Sequence, residues 1–482
     1  MKQKSLLKNA LYNFLYTGLN LLFPLITAPY VSRVLGASNL GKVNFTTSVV
    51  NWFILFAVFG TSTYGVREVA KNRDNKNKLS NIFSEIVLIN GILSIVVTII
   101  YFILVFNINK FQQDFMLYII MSLSIILNMF SIDWFYQGIE EYRYITIRGA
   151  LFKVLSLIYM FLFANNSGAY IIYGLISVFA TSLSGILNYF YSKRFVNLSF
   201  KKINIFLHFK PLSVFFVHSL VVSLYTNLDQ TMLGFMVNTK SVAFMNRSKL
   251  VTGAAAAIST SISNVTMPRA SYYIHNDKKK FNELLTKIPK FILWLTIPIT
   301  IGIIVLSPNI MFILGGREFM EAVKLLQIIS PIIIFSPLAG YLQNQVLIPT
   351  GNERIGLHCA MFSSLLSIIL NIVLIPKFGY MGAGVTVVIA QISAVFSRLL
   401  IIKEKLKYTE LRLISKSSIY YMIAALIMGV VIFLINNLFE NIFLGAFLSI
   451  IIGCFIYFLL LVIIQENVTV LMFKNLKKRL RV

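Results

Sequence analysis

The residues of this sequence best placed to do chemistry are charges lying inside long apolar runs. They are Glu85, Lys153, Asp229, Lys290, Lys324 and Arg398. A charge at the centre of a bilayer costs about 2.5–3.5 kcal/mol on insertion scales, so each needs a partner or a water-filled cavity. Asp229, in Asn227-Leu228-Asp229-Gln230, is the most deeply placed acid. It reads as a cation ligand or one half of a gating pair, against the plainer reading of a structural polar contact. Glu85 sits nearer the end of its run. Lys290 and Arg398 lie close enough to an end for their long side chains to reach water.

A second set lies at the ends of the runs. Arg33, Lys42, Arg247 and Lys249 flank two turns, and Arg67 and Arg269 mark the far ends of the helix pairs that those turns join. The two pairs are related: the shift that carries Asn44 onto Asn246 also carries Val49 onto Val251 and Arg67 onto Arg269. Repeats of this kind build many transporters, and the parity of the intervening runs makes the halves parallel, related by a pseudo-two-fold axis along the membrane normal. Singly, each basic residue is an interfacial anchor. As a symmetric set, joined by Lys153 and Lys324, they put positive charge at both mouths of one cavity. Pyrophosphate suits such a site, because guanidinium groups bind phosphate oxygens bidentately.

Other chemistries find little support. Gly36-Ala37-Ser38-Asn39-Leu40-Gly41-Lys42-Val43 nearly matches a P-loop, but Val43 stands where Ser or Thr should reach Mg²⁺, and no strand precedes it. His208, His218, His275 and His358 have no ligand spacing and read as structural. Glu140 and Glu141 are adjacent, so they point apart on a helix and read as a solvated loop. The two cysteines, Cys359 and Cys454, lie in apolar segments and read as small core residues. No nucleophile elbow, zinc motif or cofactor site emerges, and the chain is not expected to be an enzyme.

The elements that position these residues follow from composition. The chain is 57% apolar and 12% charged, with a mean hydropathy of +0.80. Soluble domains carry roughly 25% charged residues. About 14 runs are long enough to cross a bilayer as helices. They are 11–31, 43–64, 82–106, 115–136, 149–164, 169–191, 211–236, 249–268, 288–311, 322–346, 356–375, 382–402, 417–436 and 443–465. Pro24 and Pro29 are expected to interrupt the first. The net charge of +26 reflects loops that obey the positive-inside rule rather than a nucleic-acid site. Basic clusters at Arg67–Lys78, Lys193–Lys202, Lys278–Lys280, Lys403–Lys407 and Lys474–Arg481 alternate with poorly charged loops, so both termini, including Lys2 and Lys4, are expected in the cytoplasm. No loop exceeds about 20 residues, which leaves no room for an appended soluble domain.

Several segments resemble one family. Tyr64-Gly65-Val66-Arg67-Glu68-Val69-Ala70-Lys71 follows the second span. Asp133-Trp134-Phe135-Tyr136-Gln137-Gly138-Ile139-Glu140, with Tyr144-Ile145-Thr146-Ile147-Arg148, follows the fourth. Asn227-Leu228-Asp229-Gln230-Thr231-Met232-Leu233-Gly234 lies in the seventh. Pro349-Thr350-Gly351-Asn352, Asn371-Ile372-Val373-Leu374-Ile375-Pro376 and Phe378-Gly379-Tyr380-Met381-Gly382-Ala383-Gly384 mark the tenth to twelfth. In order and spacing these segments resemble the polysaccharide repeat-unit flippases (Wzx type) of the MOP superfamily. The resemblance implies an all-α membrane protein with two six-helix lobes, 1–200 and 201–405, facing a cationic cavity. Residues 406–482 would add two helices and a basic tail. It implies transport of an undecaprenyl-pyrophosphate-linked oligosaccharide across a bacterial cytoplasmic membrane, for capsule or O-antigen assembly. Asp229 or Glu85 would couple the cycle to H⁺ or Na⁺, and a polysaccharide polymerase and chain-length machinery would be partners. A MATE-like drug exporter remains open, though its cavity should be acidic. So does a membrane-embedded polymerase or ligase, though such enzymes use a large outside loop.

Overall fold

Apolar runs of bilayer length become helices because a chain surrounded by lipid satisfies its backbone groups within itself. The computed structural model describes residues 6–198, 203–406, 411, 413, 415–470 and 472, and helices are the only regular elements among them. In chain order they are α1 (Leu6–Val58), α2 (Thr61–Asn72), α3 (Lys76–Asn107), α4 (Asn109–Gln112), α5 (Phe115–Leu127) and α6 (Asp133–Gly138). Then come α7 (Tyr142–Phe163), α8 (Tyr170–Val178), α9 (Ser184–Ser192), α10 (Phe206–Met236), α11 (Thr239–Asn276) and α12 (Lys278–Gly315). The last are α13 (Val323–Ile329), α14 (Ile332–Tyr341), α15 (Glu353–Leu406), α16 (Lys416–Leu438) and α17 (Ile442–Ile463).

Each span expected from the sequence overlies helix. Among the described residues ten helices are long and apolar enough to cross a membrane, or eleven if the bent pair Arg317–Ile329 and Ile332–Leu347 counts as one span. Two of the longest are kinked at a glycine: α1 at Gly36 (φ 73°) and α15 at Gly379 (φ 56°). Both angles lie in the left-handed region that glycine enters at no steric cost. The expected interruption at Pro24 and Pro29 is not there, since α1 continues through both and breaks at Gly36 instead. The P-loop-like run after Gly36 is helical, so it forms no phosphate cradle.

The chain divides into two compact units, Met1–Ala243 and Phe244–Val482. The boundary falls within α11 rather than at residue 200, and α10 packs on α1 and α2. In the first unit α1 also packs on α3, α5, α7 and α8, while α2 is held between α3 and α6. Phe83, Trp134, Phe135 and Tyr136 are buried at the centre of that packing. In the second unit α12 packs on α13, α14, α16 and α17, burying Tyr341, Tyr421 and Tyr457.

The outward faces are apolar. On α3, Ile95, Ile99 and Ile103 repeat every four residues and are each more than half exposed. Such a stripe suits lipid and would be a liability in water. Cys359 is buried, but Cys454 is exposed on α17, which corrects its reading as a core residue. Between α11 and α12, Asp277 accepts from the Lys280 N–H at 3.0 Å, and bonds from Lys280 hold its carboxyl below the usual carboxylate range. Of the basic clusters and termini, Lys2, Lys4, Lys201, Lys202, Lys407, Lys474, Lys477, Lys478, Arg479 and Arg481 lie outside the described residues.

Candidate functional site

The first polar assembly of unit 1 begins with a glycine. Gly60 precedes α2 with φ 80°, and a Cβ there would lie 2.7 Å from the Leu212 carbonyl oxygen and 2.8 Å from the Phe216 nitrogen. Glycine therefore lets the start of α2 lie against the backbone of α10. Across that contact, Tyr64 of α2, Glu85 of α3 and His208 of α10 form a chain. The Glu85 carboxylate takes the Asn204 backbone N–H at 2.8 Å and lies 2.7 Å from His208 Nε2. His208 Nδ1 lies 2.6 Å from the Tyr64 hydroxyl. Glu85 and His208 are both buried. His208, read from sequence as structural, is the direct partner of Glu85.

This chain can hold a proton in two arrangements. With a neutral ring, Nε2–H donates to Glu85 and the Tyr64 O–H donates to Nδ1. With a protonated ring, Nδ1–H donates to the tyrosine oxygen instead. Arg67 stands beside it, its guanidinium 5.4 Å from the Tyr64 ring and 5.3 Å from the Phe215 ring. Its Nε is 3.3 Å from Glu68.

The second assembly centres on Asp133, at the start of α6. Arg148 of α7 approaches Asp133 Oδ1 at 2.8 Å and donates to Oδ2 at 3.0 Å. Asn188 of α9 donates to Oδ1 at 2.8 Å, and Tyr16 of α1 donates to Oδ2 at 3.4 Å. Four helices therefore meet at one carboxylate. The Arg148 guanidinium also lies 5.7 Å from the Tyr144 ring, which stacks on Tyr191 at 3.9 Å. Glu140 is likewise engaged rather than merely solvated, at 2.7 Å from Arg73.

The basic residues singled out from sequence have separate surroundings. Lys42 pairs with Asp114 at 2.8 Å, which also accepts from the Tyr170 hydroxyl at 3.0 Å. Lys153 donates to Asn20 at 2.5 Å. Arg33 and Arg67 are exposed. In unit 2, Arg247 is buried, Lys249 is partly buried, and Arg269 and Lys324 are exposed. Arg398 is buried and donates to the Ala394 carbonyl at 2.8 Å, so it does not snorkel. Lys290 is partly buried on α12, and Asp229 is buried on α10. Unit 2 also buries an acid that the sequence did not flag. Glu466 accepts from Tyr421 at 2.8 Å and from the Thr469 backbone at 3.0 Å.

Sequence reasoning singled out Glu85 and Asp229, both buried in the structure, because a carboxylate inside an apolar run stands out. It missed His208, Asp133 and Arg148, which lie where runs end and polar residues are ordinary. The quoted motifs did contain Tyr64, Asp133 and Arg148, and that co-occurrence was the available signal.

The chain is similar to known proteins over most of its length. It is 26% identical over 401 residues to a protein of Escherichia coli (strain K12) named O-antigen transporter, covering 79% of this chain and 93% of that one. It is 22% identical over 403 residues to the capsular polysaccharide biosynthesis protein CapF of Staphylococcus aureus, covering 81% and 98%. Its fold matches that of the lipid II flippase MurJ in an inward closed conformation, with a TM-score of 0.74 at 20% identity, over 96% of this chain and 99% of that one. An inward-facing MATE multidrug transporter of the MOP superfamily matches with a TM-score of 0.60 at 14% identity, over 80% and 96%. The fold is thus the all-α membrane fold of the MOP superfamily. The model of the family described as polysaccharide biosynthesis protein matches residues 6–274, more than half of the sequence. The chain belongs to the polysaccharide biosynthesis protein family.

Proposed function

We propose that this chain is a flippase. It moves an undecaprenyl-pyrophosphate-linked oligosaccharide from the cytoplasmic to the outer leaflet of a bacterial cytoplasmic membrane. The observation that carries this reading is the family match, with relatives named for O-antigen transport and capsule synthesis aligned over about four-fifths of the chain. The polyprenyl tail stays in lipid while the polar headgroup passes through the protein. Within unit 1, Arg33, Lys42, Arg67 and Lys153 offset the charge of the passing pyrophosphate, and within unit 2 Arg247, Lys249, Arg269 and Lys324 do so. Lys42 contributes least, because Asp114 already compensates it. The termini lie in the cytoplasm, as the basic loops favour. The chain transports rather than catalyses, and it hands its cargo to a polymerase and chain-length machinery.

The energy for transport enters as a proton at Glu85 and His208, with Asp229 as the second coupling acid. The buried Glu85–His208–Tyr64 chain supports this, since it ties three helices together through groups whose bonding changes with protonation.

Proteoliposomes holding a fluorescent undecaprenyl-pyrophosphate oligosaccharide test the reading. The wild-type protein is expected to deplete the label from the starting leaflet. Changing Arg67→Ala and Arg269→Ala together should slow this at least about tenfold, as for the loss of charge-assisted bonds. Unchanged flipping in that double variant would release both arginines to plain topology anchors.

A further inference from the structure

Unit 1 holds a cavity of about 370 Å³, lined by apolar and neutral polar side chains, that none of the charged residues above enters. Thr47 and Asn51 of α1, Ser124 of α5, Asn128 just after it, and Ser177 and Thr181 from the α8 region line it. Among the described residues, none that line it is charged. Its volume lies within the ~300–1,000 Å³ usual for small-molecule sites. Asn51, Ser124, Asn128, Ser177 and Thr181 fall well inside their expected spans, where a polar group left without a partner is costly.

Two further observations point to a ligand. Asn128 is 8% exposed, and its Nδ2 donor makes no hydrogen bond within the chain. An unmade bond on a buried amide costs stability until something accepts it. The wall that carries Thr181 is a π-helical turn, Phe179–Leu183, set between α8 and α9. Such widened turns recur at functional sites.

The chemistry of the lining defines the occupant. Thr47, Ser177 and Thr181 spend their hydroxyl protons on helix carbonyls, at 2.7, 2.9 and 2.8 Å. Their oxygens remain able to accept, beside a space that Asn51 and Asn128 also line. With no cation to hold a phosphate and no carboxylate to hold an amine, the site suits a neutral group rich in hydroxyls. We infer that this cavity is a subsite for a sugar ring of the lipid-linked headgroup, distinct from the basic residues that meet its pyrophosphate. The inference rests on the flippase reading and names where that cargo is read.

Two probes test it in proteoliposomes. One is undecaprenyl pyrophosphate carrying a fluorescently tagged N-acetylhexosamine. The other is undecaprenyl pyrophosphate carrying the fluorophore alone. The readout is the ratio of their flipping rates. Wild type should favour the sugar-bearing probe, and Asn128→Leu should lower the ratio about tenfold, as for one lost bond to a buried donor. Thr181→Val, at an exposed position, should lower it by a smaller factor and carries the test if Asn128→Leu does not fold. A ratio unchanged in both variants, or no preference in wild type while both probes move, overturns the subsite and leaves the flippase reading standing. Failure of the wild-type protein to move either probe overturns both.

Discussion

At the residue scale, two carboxylates of unit 1 have different surroundings, Glu85 buried and Asp133 only partly so. Asp133 is structural: it gathers α1, α6, α7 and α9 around Arg148. The Arg148 side chain is 6% exposed and that of Asp133 24%. Removing one member of a buried pair strands the other, typically at a cost of about 3–5 kcal/mol. Because Asp133 is partly hydrated, Asp133→Ala is expected to cost about 3 kcal/mol, near the low end of that range. Thermal unfolding in detergent measures it. A loss below about 1 kcal/mol would mean that water already compensates Arg148. Glu85 is different, because its partner His208 is an imidazole that bonds on both sides, to Glu85 and to Tyr64. His208→Gln keeps a polar group beside Glu85 and Tyr64 but cannot take a proton. It should leave folding intact and remove the dependence of flipping on an imposed pH gradient. Retention of that dependence would move the coupling to Asp229. The sequence showed Glu85 as a charge out of place. It could not show His208 opposite it, because the two are brought together only when α10 packs on α2.

At the element scale, the apolar runs were legible because a bilayer imposes a length, and the helices occupy the expected positions. The bends were less legible. Pro24 and Pro29 drew attention, yet α1 runs through them and kinks at Gly36. A proline lacks one donor, and a membrane helix absorbs that loss locally, whereas a residue at positive φ breaks the run of helical dihedrals outright. Gly60 acts in the same way at the start of α2, with the backbone of α10 against it. Gly60→Ala should therefore destabilise the protein by about 2 kcal/mol, from the left-handed penalty of roughly 1–2 kcal/mol and the close approach together. Gly18→Ala is the contrast, since nothing lies within 4 Å of a Cβ there. Within a helix that change should be stabilising by about 0.5–1 kcal/mol. Equal melting temperatures for the two variants would contradict the packing of α2 on α10.

At the scale of the whole molecule, the fold class was plain in the sequence and the chemistry was less so. Charge counts marked loops, and the motifs marked a family. The neutral cavity left no mark, because Ser, Thr and Asn are common in membrane helices and their convergence on one space is a property of packing alone. The two candidate cargoes make different demands on a site: a phosphorylated glycan calls for basic and hydroxyl groups, a small organic cation for carboxylates. The most direct test offers purified protein in liposomes both cargoes side by side: a fluorescent lipid-linked oligosaccharide and a fluorescent organic cation. Protein-dependent movement of the lipid-linked sugar, with the cation retained at the rate of protein-free liposomes, is the expected result. Movement of the cation with the lipid-linked sugar left in its leaflet would contradict the flippase reading and place the chain with the drug exporters that share its fold.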